Sequence, residues 1–304
     1  MIYRLLIYNK NVRKHMKKYL PILSAVLAAL LYALSTPFLK LTLAVVKPVF
    51  LAGLLYCGAG IGMMLMCMFT KESIPFKKEQ YPYVFGMILL DVLAPILLLY
   101  GLQYSLAENA ALLSNFEIVA TSVFAFFIFK EKISIRLRYA IVIITLASIL
   151  LSIENLQSSF SFSFGSVLII AATMVWGLEN NFTRNLSDNS PIKITAIKGI
   201  FSGMSSIILA YFVNQITLDI PLILLSMLLG FITYGLSIMF YIYAQRSLGA
   251  AKTSSFYALA PFLGAGISIL IFNDIPQLNF YLAFVLMIWG VVLIIKDTLK
   301  GEGL

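Results

Sequence analysis

YGLQYSLAENAALLSNFEIVATSVFAFFIFKEK, residues Tyr100–Lys132, reads as the end of one apolar helix, a tight turn, a second apolar helix and a basic stop. Glu117 lies about ten residues from each end of the second helix, near the middle of a hydrocarbon core ~30 Å thick. A related stretch returns at Tyr243–Asp274, YAQRSLGAAKTSSFYALAPFLGAGISILIFND. A carboxylate at mid-membrane and a second copy of its frame decide the reading of the chain.

Composition places the whole chain in the same setting. It has 304 residues, 61% hydrophobic and 12% charged, with a mean hydropathy of +0.96. A soluble domain carries about twice that share of charge, so this is an all-α integral membrane protein. The net charge of +9 would suggest nucleic acid in a soluble protein. Here it reads as a topology signal, with no nucleic-acid partner. Cys57 and Cys67 share one apolar segment and cannot bridge within a straight helix. No metal motif, phosphate loop or cofactor fingerprint is written in the sequence.

Apolar segments of about 20 residues mark transmembrane helices. Ten are expected, at 19–39, 48–70, 82–104, 107–129, 136–153, 164–184, 192–213, 220–245, 250–272 and 277–296. Residues 1–18 form a basic leader expected to lie on anionic lipid; Met16 is an alternative start. Residues 297–304 form a short tail. Met16 onward has the build of a signal peptide but continues as an uncleaved first span. Of the 22 basic residues, all but Lys40 and Lys47 fall at the leader, the even connections or the tail. The positive-inside rule therefore predicts a multi-pass protein of the cytoplasmic membrane with both termini cytoplasmic.

The halves repeat. An offset of about 143 brings Tyr100 onto Tyr243, Ala107 onto Ala250, Phe129 onto Phe272 and Glu131 onto Asp274. An offset of about 144 brings Ala28 onto Ala172, Tyr32 onto Trp176, Phe38 onto Phe182 and Lys40 onto Arg184. Residues 19–153 and 164–296 thus read as two five-helix repeats. Five is odd, so the second enters the membrane inverted, a transporter device with its site at the midplane between repeats.

The five-plus-five array, ALLYALSTPFLK at 29–40 with its partner MVWGLENNFTR at 174–184, and the FKEK that ends helix four resemble the EamA-type transporters of the drug/metabolite transporter superfamily. The resemblance covers about 19–296 and implies small-solute transport, commonly export of amino acids or other metabolites. The family's helix-four Glu-Pro pair stands here as Glu117-Ile118. Its helix-nine counterpart, Ala260-Pro261, keeps the proline and lacks the acid.

Two carboxylates are expected near mid-membrane, Asp91 in helix three and Glu117 in helix four. Ionised, each costs about 2.5–3.5 kcal/mol on insertion scales. That cost and their mutual repulsion lead to the expectation that one holds a proton part of the time. Glu117 shares a stripe of small and polar residues with Ala110, Ser114 and Thr121, a packing face or a wet wall. Asn115 stands about 100° round the helix and within reach of that site. Helix nine repeats the small-residue stripe with Ala251, Ser254, Ala258, Ala265 and Ser268, and adds Tyr257 and Pro261. Helix eight aligns Gly230, Tyr234, Ser237, Tyr241 and Gln245. Glu179 and Lys198 lie at matching depth and are placed to pair. Asp91, Glu117, Asn115, Tyr257, Tyr234 and Glu179 are the expected substrate- or proton-binding residues.

The function expected is secondary transport of an amino acid or organic cation by alternating access, with export implied by the resemblance and protons as a candidate coupling ion. The acids appear without a paired central cation, which favours cationic or zwitterionic solutes, with tyrosine faces adding cation–π contact. A facilitator or channel and a non-transporting receptor are the alternatives. An enzyme is not expected: His15 lies in the leader, no HExxH is present, and Asp91 has no second aspartate in a protease setting. The partners are a small molecule and the lipid bilayer; the oligomeric state is left open.

Overall fold

The computed structural model describes residues 10–69, 76–128, 130, 134–153, 163–248, 253 and 256–300, with side chains from residue 20 to residue 297. The first nine leader residues, Phe129, Glu131 and Lys132 of the basic stop, Ala251 and Ser254 of the helix-nine stripe, and the last four residues lie outside this set.

Every regular element among the described residues is a helix. In chain order they are α1 (Lys10–Ala33), α2 (Ser35–Thr42), α3 (Pro48–Phe69), α4 (Tyr81–Gln103), α5 (Ala107–Leu113), α6 (Phe116–Phe127), α7 (Ile135–Ser152), α8 (Phe164–Arg184), α9 (Pro191–Phe212), α10 (Ile220–Gly230), α11 (Ser237–Leu248), α12 (Ala260–Phe272) and α13 (Leu278–Lys300). A π-helical segment, Phe231–Leu236, joins α10 to α11. Starts follow local chemistry. Proline opens α4, α9, α10 and α12, where its missing N–H costs nothing. The side chains of Ser134 and Asp219 accept from the backbone N–H of Leu137 and Leu222, each at 3.1 Å. Asn273, at φ 53°, ends α12 in the left-handed conformation.

By length and composition, eight segments can cross a membrane: Leu20–Thr42, Pro48–Phe69, Lys78–Gln103, Ala107–Phe127, Ile135–Ser152, Pro191–Phe212, Ile220–Leu248 and Leu278–Asp297. Of the other two expected spans, α8 carries Glu179, two asparagines and Arg184, and the described part of the ninth holds α12, of only 13 residues. Large apolar side chains point outward along these segments, among them Leu23, Phe85, Leu89, Val142, Met204, Leu224 and Val285. So much exposed apolar surface is a lipid-facing belt.

Three expectations about the helices are corrected. The first helix begins at Lys10 rather than at 19, so half of the leader continues it. The fourth is not one rod: it breaks at Ser114–Asn115 between α5 and α6. The ninth breaks as well, at Ala258–Leu259 ahead of α12. The two breaks sit at matching places in the repeat offset, each where the backbone turns beside a cavity.

The principal packings all join the first half to the second. Helix α3 pairs with α9, α4 and α6 with α8, α1 with α11 and α12, α5 with α12, and α7 with α13. The α3/α9 seam is backbone against backbone. A Cβ at Gly60 would lie 2.3 Å from Ile200 N, and one at Gly199 would lie 2.3 Å from Gly60 N. Only glycine permits that approach.

Hydrogen bonds sort the connections onto two faces. On one, Gln80 Nε2 donates to Asn185 O, Asn189 Nδ2 to Gln80 Oε1 and Arg246 to Asp188 O. On the other, Val49 N donates to Gln215 Oε1 and Gln215 Nε2 to Tyr100 Oη. We call the first the basic face, since the predicted even connections lie there. The half toward the opposite face is filled by Leu51, Leu55, Leu98, Leu99, Leu112 and Leu113, all buried.

Candidate functional site

The half toward the basic face is hollow at its centre. A cavity with about 520 Å³ of empty space is walled by Tyr32, Tyr56, Trp176, Tyr234, Tyr241 and Tyr257, with Glu117, Glu179, Asn180, Thr183 and Lys198. A second hollow of about 370 Å³ shares Tyr32, Glu117, Asn180, Tyr241 and Tyr257 with it and adds Ser114, Asn115, Thr121 and Pro261.

The aromatic wall is a continuous chain of rings. Tyr56 and Tyr234 have centroids 5.4 Å apart, Tyr234 and Tyr32 6.1 Å, Tyr32 and Tyr257 5.3 Å, and Tyr257 and Tyr241 4.9 Å. They come from α1, α3, α11, the π-helical segment and the turn before α12, so both halves of the chain build it. The wider turn of the π-helical segment lies where Tyr234 enters the wall, a common use of that geometry. Tyr234 is 2% exposed, and its hydroxyl has no partner among the described residues.

Glu117 stands at the opening turn of α6, just past the break. Asn180 Nδ2 donates to Glu117 Oε1 at 2.7 Å and lies 3.4 Å from Thr121 Oγ1. This contact exists because α8 lies close on α6: a Cβ at Gly177 would fall 2.5 Å from Ala120 Cβ. Asn181 Nδ2 locks the approach, donating to Thr121 O and Gly177 O. Ser114, Glu117 and Thr121 of the small stripe line a hollow, while Ala110 is packed in the core. Asn115 is fully buried at the break, its Nδ2 3.8 Å from Met287 Sδ and its Oδ1 without a partner among the described residues.

Lys198 holds the other charges together. Its Nζ lies 3.1 Å from Asp91 Oδ2 and 3.0 Å from Glu179 Oε1. Tyr56 Oη donates to Asp91 Oδ1 at 2.9 Å, and Thr183 Oγ1 donates to Glu179 Oε1. Asp91, Glu179 and Lys198 are each under 5% exposed. The expected Glu179–Lys198 pair is formed, and two sequence expectations give way. The centre does contain a paired cation. Asp91 and Glu117 also do not meet as a carboxylate pair: Asp91 is sealed behind Lys198 and Tyr56, outside the cavity wall, while Glu117 faces the cavity with Asn180. Tyr257 takes its place too, its hydroxyl 3.4 Å from Ser237 Oγ.

Tyr32, Tyr56 and Tyr241 complete the site, yet none stood among the expected binding residues. Tyr32 and Trp176 are partners at the repeat offset, and both line the cavity. That match was the signal for two of the missed aromatics. Chemically, the arrangement sets the Glu117 carboxylate, held by Asn180, in an aromatic box, beside a lysine already paired with two acids. A box of this kind takes a cation or an ammonium group.

The sequence profile of the EamA-like transporter family matches residues 19–153 and again 163–296. An uncharacterized transporter of Methanothermobacter thermautotrophicus is 24% identical over 305 residues, spanning 92% of this chain and 87% of that protein. The uncharacterized transporter YyaM of Bacillus subtilis is 23% identical over 264 residues, spanning 81% of this chain and 82% of that one. A crystal structure solved for another protein shares the fold, with a TM-score of 0.68 at 15% identity over 93% of this chain and 98% of that one.

Proposed function

Because the chain belongs to the EamA-like transporter family, we propose that it is a secondary transporter for a small amine, an amino acid or an organic cation, working by alternating access. In this reading the chain crosses the cytoplasmic membrane ten times as two inverted five-helix repeats, 19–153 and 164–296, with both termini cytoplasmic. The helix packing supports inversion. Exchanging the halves maps the α3/α9 and α7/α13 pairings onto themselves, α4/α8 onto the pairing of α11 with α1, and α6/α8 onto that of α12 with α1. A two-fold axis in the membrane plane has that property.

The observation that carries the reading is the tyrosine box around Glu117, set in the half toward the basic face and backed on the other side by a packed leucine layer. A carboxylate and several ring faces select a positive group, and the packed layer favours a carrier over an open pore. Export is the direction proposed, with protons as the coupling ion and Glu117 as the shared binding group. Asp91, Lys198 and Glu179 then keep the site's field fixed rather than contact the solute.

The test is flux of labelled amino acids, primary amines and quaternary ammonium compounds in proteoliposomes, with and without an imposed pH gradient. Saturable counterflow of an amine that Glu117→Gln abolishes supports the proposal. Non-saturable flux would mark a facilitator. Binding without any flux would mark a receptor.

A further inference from the structure

A second polar cluster lies on the face away from the cavity. Lys40, in α2, reaches across to the end of α4, its Nζ donating to the carbonyl oxygens of Leu102, Gln103 and Ser105, the last two at 3.5 and 2.7 Å. An ammonium has three donors, so all are engaged by carbonyls, two of them the otherwise unpaired acceptors of a helix C-terminus. Directly beyond the turn, Glu108 opens α5 and is fully buried. Apart from its own backbone N–H, neither of its carboxyl oxygens has a hydrogen-bond partner among the described residues.

Helix α5 packs against α12, α2, α8, α7, α4 and α13. Among the described charged side chains on these elements and their flanks, Lys40 and Asp274 are the ones whose charges act on Glu108. The donors of Lys40 are already taken, and Asp274 carries a like charge. An ionised carboxylate left this way is among the costliest groups to bury, and holding a proton removes that cost. The cluster also spans the seam that closes this face, where α5 and the end of α4 meet α2 and α12.

We propose that Glu108 is the proton site of a gate on this face. It holds a proton while the face is closed and releases it as the face opens, when the carboxylate takes Lys40 from the three carbonyls. The carboxyl O–H is the bond that breaks, and its proton passes to the water on that face. Closing reverses the step, so this proton sets the gate equilibrium and is not carried across the membrane. Acid on that face holds the gate shut, and alkali frees it. The inference rests on the alternating-access reading for the motion it controls, but its test needs no solute.

The test uses the full chain in lipid nanodiscs with Cys57 and Cys67 changed to alanine. Ala111→Cys places a single thiol in the seam: Ala111 is 1% exposed, with its Cβ 3.4 Å from where a Cβ at Gly264 would stand. Leu218→Cys, at a position 90% exposed on the same face, reports the intrinsic pH dependence of thiol labelling. A membrane-impermeant maleimide should label Ala111→Cys at least about fivefold faster at about pH 8.5 than at about pH 6, after correction by the Leu218→Cys rate. Glu108→Gln should remove that excess and label slowly throughout, and Lys40→Met should label fast at the lower pH. A corrected rate flat with pH in the parent, or an excess unchanged in Glu108→Gln, overturns the proposal.

Infrared spectra give a second readout that needs no seam cysteine. The protonated-carboxyl stretch at about pH 6 must lose intensity in Glu108→Gln, and an unchanged band also overturns the proposal. A chain that gates in this way yet moves no solute would remove the transporter reading and leave the proton site standing. A chain that transports with its gate unmoved by Glu108→Gln would remove the proton site alone.

Discussion

Replacing Lys198 with methionine keeps the length of the side chain and removes its charge. Asp91 and Glu179 then face each other's field with no cation between them. At an effective dielectric of 20, each ammonium–carboxylate contact near 4 Å contributes about 4 kcal/mol before solvation is counted. Repulsion between the carboxylates and the cost of burying the lysine offset part of the sum. Breaking a buried pair by removing one partner costs about 3–5 kcal/mol, and both contacts qualify because all three residues are under 5% exposed. At roughly 2 °C per kcal/mol for a chain of this length, Tm should fall by about 6–10 °C. The assay is thermal unfolding in detergent, run as a double-mutant cycle with Glu179→Gln. The paired loss should be less than the sum of the singles by more than about 1.5 kcal/mol, since Lys198→Met does less harm once one acid is gone. A Tm within about 2 °C of the parent, or singles that add within about 0.5 kcal/mol, would refute the assignment of Lys198 as the site's neutralising cation.

Other expectations follow from the same geometry. Glu117→Gln should leave Tm within about 2 °C of the parent and weaken binding of an amine solute by roughly 10–100-fold, the worth of a charged hydrogen bond, measured by isothermal titration. Tyr257→Phe should bind a quaternary ammonium solute nearly as the parent does, while Tyr257→Leu should lose about threefold or more with the ring face gone. Gly199→Ala should destabilise by about 1–3 kcal/mol through overpacking against Gly60, read as lower Tm and lower monodisperse yield. Tyr56→Phe leaves an oxygen of Asp91 without its donor and should cost about 1–3 kcal/mol in the same unfolding assay.

The helical frame was legible because apolar length and charged connections speak directly of a bilayer. The binding wall was legible only in part. Tyr234 and Tyr257 stood out as aromatics at depth, and the repeat offset linked Tyr32 to Trp176. The break at Ser114–Asn115 was not legible, since neither proline nor glycine marks it and α5 and α6 read as one apolar run. Side-chain pairing between helices was also hidden in part. Glu179 and Lys198 could be matched by depth along their helices, but Tyr56 with Asp91 needed the packing of α3 beside α4. The sequence could rank Asp91 and Glu117 as deep acids. Only the fold separates one sealed behind a lysine from one facing open space.

The glycine-lined seam between α3 and α9 bears on where the molecule is able to swing. Under the proposed alternating access the rocking needs a line that stays still, and two backbones this close make a natural axle. One rod comes from each half, so the axle belongs equally to both. A covalent strap across it should leave turnover intact. The same strap between α5 and α12, at the rim, should stop that motion and hold the helices packed as they stand.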